Sequence, residues 1–302
     1  MKPKIMSEKA LNVRIPALFC TGILAWPSAA AEPSPIPDLS GAWARTTFAL
    51  EQPASGPGPV RNVTRRADGS AEFNVGDEQS PILKPEAAAA VKRRNDILRS
   101  GVDYPTPSNQ CLPMVAPYIF RVQGMELLQE KDEVLLVYVQ DHQVRHVRLN
   151  RSHPSHVAPS WYGDSIGHYE GGTLVVDTVG FKVGRVAAVD QYGTPYSQGL
   201  HVVERYRLID YEAAKAAQER LVRQTGPVAT EQAASVDPDY RGKGLQVQFT
   251  VDDAQYFTMP WSGAATYRKA ASGWVENVCA ENIHEYYSGT ETPVPRADKP
   301  DF

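Results

Sequence analysis

From residue 119 onward, apolar and polar residues alternate in short runs, a two-residue period typical of β-strands with one buried face. The runs are rich in β-branched residues and are separated by turn-forming pairs such as Lys131-Asp132 and Gly171-Gly172. No strand–helix–strand rhythm occurs, which argues against a nucleotide-binding sheet. The pattern predicts strands over residues 119–123, 125–130, 134–140, 144–150, 173–179, 201–209, 245–251, 264–268 and 274–280.

Two segments break the strand pattern and predict helices. Residues 85–99 begin with a proline, which suits a first helical turn, continue through four alanines and stop near Gly101. Residues 210–223 begin at a capping Asp210 and open an insertion over about 210–244, which is either a lid over a barrel mouth or a surface decoration. The whole pattern predicts a mostly β fold, an antiparallel barrel or alternatively a β-sandwich, with two peripheral helices.

The N-terminus has the three parts of an export signal. Four basic residues lie within the first fourteen, a short apolar run covers 15–26, and three alanines end at Ala31. Cleavage near Ala31 would leave residues 32–302 as a single domain, periplasmic or secreted and without a membrane anchor. The leader carries four basic residues and one acidic residue, so the formal net charge of −4 becomes about −7 after its removal. An acidic chain without a basic stripe argues against a nucleic-acid partner.

Two cysteines, Cys111 and Cys279, follow the predicted leader. In an exported protein such a pair predicts one disulfide, and the long loop that it closes would stabilise the fold by roughly 4–5 kcal/mol. Two free, buried thiols are the alternative.

Short motifs occur along the chain at 37–43, 111–113, 141–145, 153–154, 159–161, 163–167, Glu170 with 172–181, 200–205, 252–253 with Tyr256, 260–261 and 276–282. These motifs and their order resemble those of a large family of exported bacterial β-rich proteins. The segment Gly41-Ala42-Trp43 at the head of a first strand is also similar to the lipocalin pattern. The resemblance implies a β-rich, lipocalin-like architecture and implies no particular chemistry. The chain departs from the family in its 210–244 insertion and in His168, where the family tends to carry arginine.

The segment Gly163-Asp164-Ser165-Ile166-Gly167 matches the nucleophile elbow of serine hydrolases, and Asp177 and His201 follow in the order used by α/β-hydrolases. That elbow needs a strand before the serine and a helix after it, whereas here a proline precedes and a strand follows. We therefore expect a glycine-bracketed turn in which the Ser165 hydroxyl caps backbone groups. A serine hydrolase remains a lesser alternative.

Histidines are candidates for a metal site. His142 and His146 share one face of a predicted strand, and His153 and His156 follow in a loop. Since no second metal-binding motif accompanies them, solvated histidines on a strand edge are favoured and no metal is predicted.

Acid–base chemistry in a barrel pocket is the leading functional hypothesis. Charged groups on inward strand faces must be paired or have perturbed pKa values, and such groups often form catalytic sites. In this hypothesis His201 is the general acid or base, Asp177 or Glu276 orients it, and Asp164 or His168 contacts the substrate. The chemistry would be isomerisation, elimination or hydrolysis, and no cofactor is predicted. The substrate would be a small apolar or aromatic compound, contacted by Trp161, Tyr162, Ser165, Tyr169, Tyr256 and Trp261.

A binding or carrier protein that uses such a pocket without turnover is the alternative. Convergence of Asp177, His201 and Glu276 on one cavity would favour the enzyme, whereas outward-facing side chains would favour the carrier.

Overall fold

The computed structural model describes residues 36–64, 75–102, 104–121, 124–140, 143–225 and 235–271, and the backbone of 284–285 and 290–291. The predicted leader, His142, the strand predicted over 274–280, Glu276 and Cys279 lie outside these residues. Among the described residues no helix is both long and apolar enough to cross a membrane.

The strands are β1 (Gly41–Ala44), β2 (Gly124–Gln129), β3 (Glu133–Tyr138), β4 (Gln143–Leu149), β5 (Asp164–Glu170), β6 (Thr173–Val179), β7 (His201–Ile209), β8 (Gly244–Asp252), β9 (Trp261–Lys269), β10 (His284–Glu285) and β11 (Thr290–Glu291).

Strands β1 to β9 form a closed barrel in sequence order, and β10 pairs with β11 in a separate two-stranded sheet. The predicted barrel is therefore confirmed over the sandwich. Neighbouring strands are antiparallel, as expected, with one exception: β4 and β5 are parallel, because the chain between them crosses back before β5 begins. The barrel closes where β1 meets β9 over only two residue pairs.

Two sequence predictions were wrong about local structure. The strand expected over 119–123 is instead a 3-10 helix, Tyr118–Arg121. Its first three side chains are all buried, which a strand with one wet face would not allow. The turn expected at 163–167 is instead the first half of β5. Pairing with β4 and β6 overrides the turn preference of glycine and serine, and only Gly163 keeps a left-handed backbone.

The barrel interior is a packed core rather than an open lumen. Aromatic rings meet there edge-on or tilted, for example Phe249 with Trp261 at a centroid distance of 6.0 Å and with Phe120 at 5.7 Å. The largest side chains of this core are at most 3% exposed: Trp43, Phe120, Tyr138, Tyr206, Phe249, Trp261 and Tyr267.

Two α-helices flank the barrel in the described part of the chain, as the sequence predicted. Helix α1 (Pro85–Arg99) has the predicted bounds, and α2 (Tyr211–Thr225) covers most of the segment predicted over 210–223. Helix α2 packs against β8 and β9, so the helical part of the insertion lies on the barrel wall and is not a lid over its mouth. The Nε2 atom of Gln218 donates hydrogen bonds to the carbonyls of Ala44 in β1 and Thr266 in β9, each at 3.1 Å. Gln218 thus bridges the short seam that closes the barrel.

Replacing Gln218 with alanine should destabilise the protein by about 1–3 kcal/mol, because it removes both hydrogen bonds and leaves two buried carbonyls without a donor. Urea unfolding of the two proteins measures the difference. Glu219→Ala, at an exposed position of the same helix, is the matched control and should cost less than about 0.5 kcal/mol. Equal costs for the two substitutions would show that Gln218 does not secure the seam.

Candidate functional site

Motif residues on β4 to β7 form two polar clusters, one on each side of the barrel wall. Successive residues of a strand point to opposite faces. Ser165 and Thr178 are therefore buried inside the barrel, whereas Asp164 and Asp177, which precede them directly, are partly exposed outside. One strand motif therefore supplies a residue to the cluster inside the barrel and a residue to the cluster outside it.

The inner cluster is built on an ion pair between Arg145 of β4 and Glu204 of β7, whose side chains are 3% and 0% exposed. The guanidinium binds the carboxylate with both terminal nitrogens, at 3.0 and 2.8 Å. Its Nε donates to the Ser165 hydroxyl at 2.9 Å, and Nη2 also donates to Thr178 at 2.7 Å. The Tyr206 hydroxyl donates to Glu204 at 2.6 Å.

Charge in the inner cluster is fixed rather than exchangeable. Burial alone would lower the pKa of Arg145, but the Glu204 carboxylate outweighs burial and raises it. Burial also raises the pKa of Tyr138 to about 12 and that of Tyr206 well above its usual value. Arginine therefore stays charged and the tyrosines stay neutral at physiological pH. Among the described residues no histidine contacts Ser165, whose hydroxyl accepts a hydrogen bond from Arg145, so this arrangement lacks the adjacent base of an activated serine.

The outer cluster is a chain of hydrogen bonds across four strands and one loop. Arg148 of β4 binds both oxygens of Asp164 at 2.6 and 2.7 Å. His153, in the crossing segment between β4 and β5, contacts Asp164 through Nδ1 at 2.5 Å and Asp177 through Nε2 at 3.0 Å. Nε2 of His201 in turn contacts both oxygens of Asp177 at 3.1 Å.

The two histidines of the outer cluster differ in what their rings can do. Burial lowers the pKa of His153, but its hydrogen bonds with Asp164 and Asp177 outweigh burial and raise it. Both ring nitrogens of His153 thus contact carboxylates, an arrangement that favours the protonated ring and links Asp164 to Asp177. His201 engages only Nε2, and within the described residues its Nδ1 has no protein partner while the ring is 40% exposed.

The predicted meeting of Asp177 and His201 occurs, but on the outer face of the barrel and not in an interior pocket. Asp164 joins them, whereas His153 was considered only as a metal ligand and Arg148 was not singled out. The His153-Pro154 motif was the one sequence signal that could have pointed to His153. No group of histidine, cysteine, aspartate or glutamate residues suited to a metal ion occurs in the described part of the chain.

The other predicted site residues are scattered. His168 is exposed and contacts Glu170 at 3.0 Å, and Tyr169 accepts a hydrogen bond from Gln129 at 2.7 Å. Trp161 lies under the ammonium group of Lys182, at 5.0 Å from the ring centre. The remaining positions are half-buried or buried and belong to loops and the core: Tyr162, Ser165, Tyr256 and Trp261.

Cys111 is disulfide-bonded. The other two cysteines of the chain, Cys20 and Cys279, lie outside the described residues. Pairing of Cys111 with Cys279 therefore stays a prediction.

A cavity of about 400 Å³ lies beside the barrel and not inside it. Its walls come from residues 49–62, the 3-10 helix Tyr118–Arg121, the loop at 190–192 and the C-terminal end of α2. None of the predicted substrate-binding residues lines this cavity. The residues that carry its chemistry are Leu50, Val60, Tyr118, Arg121, Asp190 and Tyr192.

Two charged residues of the cavity each have a buried atom without a hydrogen-bond partner among the described residues. Asp190 is 4% exposed; its Oδ1 accepts from the backbone N–H groups of Tyr192 at 2.8 Å and Thr194 at 3.1 Å, whereas Oδ2 accepts none. Burial raises the pKa of Asp190. Arg121 lies over the rings of Phe48 and Tyr118, at 4.7 and 5.5 Å, and its Nε has no acceptor. We refer to this space as the Arg121–Asp190 cavity.

Substitutions in the buried Arg145–Glu204 ion pair should have large, non-additive effects on the free energy of unfolding. Arg145→Met or Glu204→Leu alone should cost about 3–5 kcal/mol, because each leaves a buried charge without its partner. The double variant should cost several kcal/mol less than the sum of the two. Denaturant unfolding at neutral pH measures all three, and Glu170→Gln, which breaks an exposed pair with Arg205, is the control and should change stability little. Additive single effects would contradict the assignment.

No protein-family model, curated protein or solved structure matches the chain at a significant level. The family resemblance inferred from the motifs therefore stays a prediction. Function has to be argued from the chemistry of the outer cluster and of the Arg121–Asp190 cavity.

Proposed function

We propose that the protein binds a small, partly aromatic molecule in the Arg121–Asp190 cavity. The observation that carries this proposal is a space of about 400 Å³ whose walls include two charged side chains with unpartnered buried atoms. Ligand pockets in proteins typically have volumes of roughly 300–1,000 Å³, apolar walls and a few polar groups that orient the ligand. The cavity has this composition.

The polar atoms of the cavity favour an occupant. Arg121 has no ion pair with a carboxylate of the described residues, so a ligand with an acceptor group would find a charged donor in the cavity wall. Tyr118 and Tyr192 supply ring surfaces suited to a planar molecule, and Leu50, Val60 and Leu221 supply aliphatic surface.

The lining also favours binding over turnover at this place. Among the described residues that line the cavity there is no histidine, cysteine or lysine, and Asp190 is the one carboxylate. Proton transfer generally needs an acid and a base matched in pKa within reach of the substrate. A carrier or binding protein is therefore the function that these walls support best.

A fluorescent probe tests the proposal. N-phenyl-1-naphthylamine, a neutral aromatic compound whose emission rises in apolar surroundings, should bind the purified protein saturably. Ala49 lines the cavity and its side chain makes no hydrogen bond, so Ala49→Trp fills the cavity without removing a polar contact. This substitution should weaken probe binding about tenfold or more, a free-energy change of about 1.4 kcal/mol.

Ala213→Trp, at an exposed position of α2, is the matched control and should bind as the unaltered protein does. Circular dichroism shows whether each variant is folded. A folded Ala49→Trp variant with unchanged affinity would place the probe elsewhere and overturn the proposal.

A second candidate function is proton transfer at the outer cluster. It is favoured by one observation: Asp177 holds Nε2 of His201, which leaves Nδ1 exposed and without a protein partner in the described structure. A carboxylate that orients an imidazole in this way is a common arrangement for a general base. His153 and Asp164 hold Asp177 in place.

Base-catalysed ring opening of 5-nitrobenzisoxazole tests this second function. General-base catalysis contributes about 10²–10⁴-fold in enzymes, so His201→Gln should reduce the rate about tenfold or more. His146→Gln is the matched control, because His146 is also an exposed histidine paired with an acid, Glu133, on the barrel wall but lies outside the cluster. Equal rates for the two variants would rule out His201 as the base.

A further inference from the structure

Arg121 lies at the cavity without an acidic partner among the described residues, unlike several arginines of the barrel strands. Arg145, Arg148 and Arg205 each form an ion pair with a carboxylate. No carboxylate of the described residues lies within ion-pair distance of Arg121, and its guanidinium contacts the rings of Phe48 and Tyr118. Stacking on two rings holds the guanidinium plane in place while its N–H groups stay available.

The charge around the cavity favours an anion. Arg61 and Arg121 line it, against the single carboxylate of Asp190. Arg94 interacts electrostatically with Asp190 and is only 4% exposed. Because little water screens this interaction, the positive charge of Arg94 partly offsets the negative charge of the Asp190 carboxylate. Oδ1 of Asp190 is already bound by two backbone N–H groups, which also partly offset the negative charge of this carboxylate.

From these contacts we infer that the Arg121–Asp190 cavity takes a small aromatic carboxylate, whose carboxylate binds the Arg121 guanidinium. This inference rests on the proposed binding function and specifies its ligand class. Arginine binds carboxylates through two parallel hydrogen bonds, stronger than those between neutral groups. The rings of Tyr118 and Tyr192 contact the aromatic part.

A matched series of compounds with one carbon skeleton tests the inference. Isothermal titration of the full chain with cinnamate, cinnamamide and cinnamylamine compares an anion, a neutral amide and a cation. Cinnamate should bind about tenfold more tightly than either, a difference of 1.4 kcal/mol. 4-Hydroxycinnamate should bind at least as tightly as cinnamate.

Arg121→Met keeps the apolar stem of the side chain and removes its charge. The variant should therefore bind the three compounds with similar affinity, and its affinity for N-phenyl-1-naphthylamine should be unchanged. Arg93→Met, at an exposed position of α1 away from the cavity, is the matched control and should keep the preference for cinnamate. Should Arg121→Met fail to fold, the preference of the unaltered protein for cinnamate over the amide and the amine decides alone.

The two possible failures are distinguishable. If the neutral probe binds in the cavity but cinnamate has no advantage, or keeps it in a folded Arg121→Met variant, the carboxylate inference is overturned and the binding function stands. If neither the probe nor any of the cinnamyl compounds binds, both fall.

Discussion

The buried ion pair between Arg145 and Glu204 is the interaction on which the rest of this barrel depends. It joins β4 to β7 through the interior and needs the hydroxyls of Ser165, Thr178 and Tyr206 around it. A slip of one residue in β5 or β6 would turn the hydroxyl of Ser165 or Thr178 outward, and a slip in one direction would bring Asp164 or Asp177 inside. Charged groups left unpaired in the core would then cost several kcal/mol each. The pair therefore fixes the strand register and, with it, the outer cluster on the opposite face.

The filled barrel interior is the reason why we propose a binding site beside the barrel. Trp43, Phe249 and Trp261 occupy the space that a lipocalin-like protein would give to a ligand. The 3-10 helix Tyr118–Arg121 connects this core to the Arg121–Asp190 cavity. Its Phe120 packs against Phe249, and the Phe120 carbonyl accepts hydrogen bonds from Arg45 and Tyr267. The core thereby holds the helix that presents Tyr118 and Arg121 to the cavity. Helix α2 also serves both regions, because it secures the β1–β9 seam through Gln218 and ends at the cavity wall.

The sequence was sufficient where a local pattern and the tertiary structure agree. Strands β6 and β7 match their predicted bounds to the residue, since their alternation of apolar and polar residues reflects one buried face. The same alternation placed Asp177 and His201 on adjacent strands. The alternation could not show whether these two side chains point into the barrel or to solvent, because an isolated acid in an antiparallel barrel strand is compatible with either face.

Prediction failed where distant residues decide the outcome. The prolines before Tyr118 and the burial of three successive side chains turn an apolar run into a 3-10 helix. At 163–167, sheet pairing with both neighbours outweighs the turn propensity of glycine. Arg121 and Asp190 lie far apart in the sequence and in unremarkable segments, so only the folded chain brings them to one cavity.

A crystal structure of the protein with 4-hydroxycinnamate is the most direct test of the central claim that the ligand site lies beside the barrel. The account predicts ligand density in the Arg121–Asp190 cavity, with the carboxylate in hydrogen-bond distance of Arg121 and the ring between Tyr118 and Tyr192. Density inside the barrel, or at His201 with the cavity empty, would contradict it.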